Sequence, residues 1–297
     1  MDVTNFNPNA VFPPSLDFKF YRNQNQDLRS FSDFQLKEHY ESFGRREGRL
    51  ASPAASRRGF VEILRKIDPA LEIGPFDRPL LSQERAKFFD VVPAELLKLR
   101  ASNLPDRNPA TVPNIDYYSP TGDLSIIMEK FLLVASSHSI EHTPDLVQHF
   151  NQVEQLLETG GCYAALIPDC RYCFDHYLPQ STIAEVLGAH FEGRNTHTLT
   201  SVIEHRALTT HNDPAEHWKG NHGHSGADET KKIRNAIAEW RAANGAYIDV
   251  HAWQFTPGGF LEISMTLYDL GLMSLSPLRV YDTPYGSNEF CVVLVKQ

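Results

Sequence analysis

The chain has little of what fixes small or specialised folds. Only four of its 297 residues are cysteine: Cys162, Cys170, Cys173 and Cys291. That is too few to staple a chain of this length, so stability must come from a buried apolar core. Cys170 and Cys173 form the one C-x-x-C pair, and without a second pair the expected state is reduced structural thiols. Positive charge is also short. The 28 Lys and Arg stand against 37 Asp and Glu, a formal net charge of -9, which repels a polyanion and sets nucleic acid aside as a partner. No apolar run approaches the roughly 20 residues of a membrane span, and no N-terminal stretch resembles a signal peptide, so a cytoplasmic location is expected. There is no internal repeat. There is also no G-x-G-x-x-G, which counts against a nicotinamide-dependent oxidoreductase.

What is present is an alternation of strand-like and helix-like stretches. Residues 1–16, rich in Asn and Pro, are expected to lack regular structure. Residues 17–49 carry Phe34, Leu36, Tyr40 and Phe43 at helical spacings, with Gly44 as a helix stop, and 51–56 reads as a linker. This 1–56 extension is too short for its own core and should pack on the 57–297 domain. In that domain SRRGFVEILRKI (56–67) predicts a helix, ALEIG (70–74) and KFFDVV (87–92) predict strands, and PAELLKLRA follows with Pro93 at a helix start. FLLVAS (131–136) is a further buried strand. PDLVQHFNQVEQLLETGG (144–161) is expected to be a helix begun by Pro144 and stopped by Gly160 and Gly161, with CYAALIPD (162–169) as the next strand. Strand, helix and strand at this spacing predict a right-handed parallel unit. Residues 170–250, rich in His and aromatics, break the rhythm and read as an insertion that caps the site; DETKKIRNAIAEWRAAN is its clearest helix. A helix ended by Gly271 and two antiparallel strands, LSPLRVYDT and EFCVVLVKQ, close the chain.

Three places carry candidate chemistry, each at the carboxyl end of a predicted strand, where open α/β sheets bind ligands. The first is Glu72-Ile73-Gly74-Pro75: an acid, then a glycine that allows close backbone approach. Its single glycine, and the amide donor lost at Pro75, count against a pyrophosphate cradle. The second is Asp90-Val91, 18 residues beyond Glu72, an acid placed to accept ribose hydroxyls. The third is Ser137-His138-Ser139-Ile140-Glu141-His142, directly after FLLVAS.

LEIGP, FFDVVPAEL and VASSHSIEHTPDLVQHFNQVEQLLETGGCYAALIPD, in that order, resemble the class I S-adenosylmethionine-dependent methyltransferases over roughly residues 70–170. The resemblance implies an α/β, Rossmann-like seven-stranded sheet with its last strand antiparallel, and S-adenosyl-L-methionine as cofactor. It implies cofactor contacts at Glu72, Gly74, Pro75, Asp90, Val91, Ser137 and His138, with Asp123 on the adenine side. The GPFD loop departs from the family's common G-x-G. Residues 17–49 (Tyr21, Asn25, Asp27, Leu28, His39-Tyr40, Gly44, Glu47-Gly48-Arg49) resemble a short module found beside bacterial glycosyltransferases and polysaccharide-assembly proteins. By association, that points to a sugar or glycan acceptor and to contact with glycan-assembly proteins.

For a hydroxyl acceptor the chain must remove a proton, a task suited to His near neutral pH. His138 is the first candidate base, with His142, Asp169 and His176 as further catalytic candidates and Asp175 beside His176 on the cap. Alternatively, His138 or His142 orders the loop, while Glu141 and Asp145 favour the first turn of the following helix. His138-x-x-Glu141-His142 also matches a zinc-peptidase pattern, but that pattern needs both His on one helical face, and here they follow a strand. His211, His217, His222 and His224 fit no compact zinc spacing, so no metal is expected. Two alternatives remain: a non-catalytic S-adenosylmethionine- or nucleotide-binding partner of a glycan-assembly enzyme and, ranked below it, a metal-dependent hydrolase using the H-x-x-E-H run and the His cluster.

Overall fold

The computed structural model describes residues 6–224 and 228–297. Seven strands form one sheet in the order β3-β2-β1-β4-β5-β7-β6. They are β1 (Ala70–Ile73), β2 (Ala86–Asp90), β3 (Tyr117–Tyr118), β4 (Phe131–Ser137), β5 (Leu157–Pro168), β6 (Leu275–Val280) and β7 (Glu289–Lys296). β1 to β5 pair in parallel, and β7 runs antiparallel between β5 and β6. This is the expected Rossmann-like methyltransferase sheet with an antiparallel last strand. Strand order reverses between β1 and β4, where Ile73 pairs with Ser136. That switch point is where such sheets leave a crevice.

Strict alternation of side chains explains why the central strands read as continuous apolar runs. Tyr163, Ala165 and Ile167 of β5, with Phe290, Val292 and Leu294 of β7, enter one core. Cys162, Ala164 and Leu166, with Cys291, Val293 and Val295, enter the opposite one. Both faces are covered, as a mostly parallel sheet requires. The first core is closed by α6 (Leu146–Leu156) and α11 (Pro257–Asp269), through Phe150, Val153, Phe260 and Leu267. The second is closed by α4 (Arg57–Leu64) through Phe60 and Leu64, with Phe12 from the N-terminal segment.

Four boundaries differ from expectation. The 144–161 helix starts after Asp145, whose side chain caps it by accepting the Gln148 amide, and it ends at Leu156. Leu157 already pairs with Phe131, so Gly160 and Gly161 lie inside β5. A Cβ on Gly161 would stand 2.9 Å from the Glu158 carbonyl and 3.1 Å from that of Phe131, so the glycine serves close strand packing, not a helix stop. The 1–16 segment carries a capped turn, α1 (Pro8–Val11), because fully buried Phe12 anchors it 5.9 Å from Phe60. The 51–56 stretch is no exposed linker: Ala51, Ser52, Ala54 and Ala55 are buried. Gly44 is required by packing, since a Cβ there would lie 1.9 Å from the Tyr21 hydroxyl.

Residues 17–49 form α2 (Phe18–Gln24), α3 (Asp33–His39) and a π-turn around a small cluster of Tyr21, Leu28, Leu36 and Tyr40. The Tyr281 hydroxyl donates to the Pro13 carbonyl at 2.7 Å, and Arg45 lies 3.8 Å from Asp282, tying the extension to the sheet. Residues 170–250 contain α7 (Ile183–Phe191), α8 (Leu199–Ala207), α9 (Pro214–Trp218) and α10 (Glu229–Ala243). All four cysteines are buried free thiols. Among the described residues no helix is long and apolar enough to cross a membrane.

Candidate functional site

The carboxyl ends of β1, β2, β4 and β5 bring together Glu72, Asp90, Ser137-His138 and Asp169. Glu72 is buried, and both oxygens are taken: the amides of Leu80 and Leu81 each donate at 2.9 Å. Burial nevertheless raises its pKa to about 7, against those two bonds. The acid therefore anchors the 74–81 loop. Gly74 adopts φ +68, a left-handed turn that costs glycine nothing, and Pro75 is buried behind it. Asp90 is 7% exposed and accepts the Val92 amide at 2.8 Å, with Val91 beside it at the surface. Burial raises the Asp90 pKa to about 6. Asp123 caps a short turn through the Ser125 amide and accepts from Gln152 at 3.2 Å.

Two catalytic candidates are engaged by residues of the cap and the last hairpin. Asp169 accepts two hydrogen bonds from the Arg171 guanidinium, at 2.9 and 2.6 Å, and one from the Thr283 hydroxyl at 2.5 Å. Its oxygens hold the start of the cap. His176 stacks on His222 at 3.7 Å and 8°, beside His217, and its Nδ1 meets the Arg171 carbonyl at 2.7 Å. It belongs to the cap.

Glu141 lies at the centre of the site. The sequence suggested a charge at a helix start. Instead, the tight turn after β4 folds Glu141 inward until it is fully buried, while Asp145 alone caps α6. Neither carboxylate oxygen has a hydrogen-bond partner among the described residues. Three imidazoles surround its Oε1: His138 Nδ1 at 3.9 Å, His142 Nε2 at 3.8 Å and His251 Nε2 at 3.9 Å. Each has its other nitrogen beside a second carboxylate. His138 Nε2 is 2.8 Å from Glu289, His142 Nδ1 is 3.0 Å from Asp249, and His251 Nδ1 is 2.6 Å from Asp175. His138 adopts φ +50, a left-handed turn uncommon for a non-glycine residue, which swings its ring towards Glu289. Ser137 is held by Arg57 at 3.2 Å, and Arg57 also pairs with Glu289 at 2.7 Å.

The electrostatics follow from burial and partners. At His138 and His142 burial is the largest influence and opposes charge, but the surrounding acids together outweigh it, Glu289 and Glu141 at His138 and Asp249 and Glu141 at His142, so both pKa values stand above the ordinary imidazole value. Burial pushes His251 down to about 3 and Asp175 up to about 7. The two groups are hydrogen-bonded at 2.6 Å, and in each burial disfavours the charged form. His205 Nδ1 accepts the His251 amide at 3.1 Å and packs edge-on to the same ring.

Sequence reasoning missed His205, Asp249, His251 and Glu289, and misjudged Glu141. His251 and Glu289 come from segments far along the chain, and nothing local marks them. The one usable signal was Asp175, next to His176: the two neighbours point into different clusters.

No family model and no curated protein matches this chain. Solved structures that resemble it include a candidate O-methyltransferase from Nostoc punctiforme (12% identity, 81% of this chain and 55% of that one, TM-score 0.38). The CcbJ methyltransferase from Streptomyces caelestis is similar too (12%, 86% and 95%, 0.39). So is a candidate Zn-dependent alcohol dehydrogenase from Rhodobacter sphaeroides (15%, 88% and 97%, 0.43). The chain spans about half the length of some of these, 52% for the CurJ carbon methyltransferase and 55% for the Nostoc protein. At such identities and TM-scores the likeness says nothing of ligand or reaction.

Proposed function

We propose that this chain is an S-adenosylmethionine-dependent methyltransferase acting on a hydroxyl of a small-molecule or glycan acceptor. The observation that carries the reading is the placement of Asp90 and Gly74 beside the β1/β4 switch point, with the Glu141 cluster at the end of β4 in the same sheet. The donor set fits a cationic adenosyl ligand. Asp90 supplies a buried acid for the ribose, and Gly74 lets the ligand approach backbone. Glu72 holds the 74–81 loop beside it through the Leu80 and Leu81 amides.

When bound, S-adenosyl-L-methionine supplies an activated methyl on a sulfonium; transfer forms a carbon–oxygen bond, and the carbon–sulfur pair leaves on sulfur. The chain's own part is to orient the acceptor and take its proton. With Nε2–H donated to Glu289, His138 presents Nδ1 as the proton acceptor, and Glu289 stabilises the imidazolium formed. His138, with its side chain 37% exposed, is the accessible ring of the cluster, whereas the His251 side chain is only 6% exposed. The glycan acceptor rests on the N-terminal segment's resemblance and on the polar, His- and Tyr-rich cap. A solution role, with contact to glycan-assembly proteins through residues 17–49, belongs to the same proposal.

Calorimetric titration with S-adenosylmethionine and S-adenosylhomocysteine, with NAD as control, tests the cofactor class. Binding of the first two but not NAD is expected; NAD binding alone would overturn the reading. Acceptor screening that finds only protein or aromatic substrates would remove the glycan.

A further inference from the structure

We propose that Glu141, His142 and His251 hold a divalent first-row transition-metal ion at the carboxyl end of β4. The inference concerns the site read above as a methyl-transfer centre, but it stands on its own geometry. One atom from each of the three residues lies within 4.8 Å of the other two. Glu141 Oε1 stands 3.8 Å from His142 Nε2 and 3.9 Å from His251 Nε2, too far for hydrogen bonds. Ligand atoms that each lie about 2.0–2.2 Å from one ion are separated by roughly 3–4 Å. The spacing is that of ligands around an ion.

Burial strengthens the case. A fully buried carboxylate with no donor on either oxygen is costly, and direct ion pairs would have closed to about 2.8 Å. A cation between the three groups satisfies it. Part of the outer sphere is present. The outer nitrogen of His251 is hydrogen-bonded to Asp175 at 2.6 Å, while Asp249 lies 3.0 Å from that of His142 without a hydrogen bond between them; Nε2 of each ring is the nitrogen near Glu141. Carboxylate–histidine pairs of this kind orient metal-ligating rings and raise their basicity. His138 approaches the same carboxylate but lies outside the compact set and remains the base. Two imidazoles and a carboxylate suit zinc, iron, cobalt or nickel better than magnesium or calcium. An ion there would polarise an acceptor oxygen next to His138. The sequence reading set metal aside because His138 and His142 follow a strand and the cap histidines fit no compact zinc spacing; it did not weigh His251.

Asp175, His205 and His251 lie as close together, but Asp175 and His251 are already joined by a hydrogen bond at 2.6 Å; the cap's His176, His217 and His222 form the other rival cluster. There His217 Nε2 is 3.1 Å from the His211 carbonyl and His176 Nδ1 is 2.7 Å from that of Arg171. Parallel rings 3.7 Å apart do not converge on one ion.

The test uses the full chain stripped with a chelator and titrated with Co²⁺ alone, read by visible absorption and equilibrium dialysis. One Co²⁺ per chain is expected, displaced by Zn²⁺, with binding lost in Glu141→Gln and kept in His217→Ala. Asp175→Asn should weaken binding about 10–100-fold. If Glu141→Gln does not fold, as judged by its melting curve, His251→Gln takes its place. No binding to the wild type, or binding that survives Glu141→Gln and disappears in His217→Ala, overturns the proposal. S-adenosylhomocysteine titration of the same samples separates the two readings: Co²⁺ without nucleoside binding leaves the metal site standing and removes the methyltransferase.

Discussion

The molecule has two gatherings of histidine, and they differ in what their nitrogens do. In the cap, His176, His211, His217 and His222 stack on one another and close on backbone carbonyls or each other: His211 Nε2 meets the Asn221 carbonyl at 3.0 Å, and His217 Nδ1 meets His222 Nδ1 at 3.0 Å. At the sheet end, His138, His142 and His251 turn their inner nitrogens on a carboxylate that none of them reaches. A stack that satisfies itself is structural. A buried acid left unsatisfied, ringed by oriented imidazoles, is built for something that arrives later.

The largest expected effect separates the two groups by turnover. Glu141→Gln should lower methyl transfer at least about 100-fold, the scale of a lost acid–base or charge-stabilising group, while His222→Ala stays near wild type. Similar losses in both variants would erase the comparison. Glu72 offers a third kind of buried acid, one satisfied by amides. Its folded pKa of about 7 lies above its ordinary 4.5, so its contribution is fully present below pH 4.5 and is lost as pH rises through 7. That shift corresponds to about 3 kcal/mol. Denaturant midpoints from pH 4 to 8 should show a pH slope in wild type that flattens in Glu72→Gln; equal slopes would assign the dependence to another group. Asp90→Ala should weaken S-adenosylhomocysteine binding by about 1.5–3 kcal/mol in calorimetry, and an unchanged Kd would remove the ribose role. The smallest effect belongs to the cap: His222→Ala should cost about 1 kcal/mol in thermal unfolding. Neighbouring His and burial hold the His217 and His222 pKa values below the ordinary value, so the stack's contribution is present at neutral pH and is lost on acidification.

Much of the frame was legible in the residues. Ala70–Ile73, Phe131–Ser137 and Glu289–Lys296 are apolar runs whose strand state is dictated by burial on both sheet faces. Asp90 and Gly74 announced themselves because each follows such a run. The end of the helix at Leu156 was not legible: LLETGG reads as a helix finishing, and only pairing with Phe131 makes it a strand. Nor was it legible that Arg171 and Thr283 close on Asp169.

The sequence alone determined the alternating α/β frame, the antiparallel close and the strand ends that carry the candidate residues, since these depend on local periodicity. Tertiary structure decided which titratable groups meet. Glu141 was placed at a helix start, and His251 and Glu289 went unnoticed, because their partners come from distant segments. A hydrogen bond or a ligand set is a statement about space, and spacing along a chain carries it only when both groups share one element.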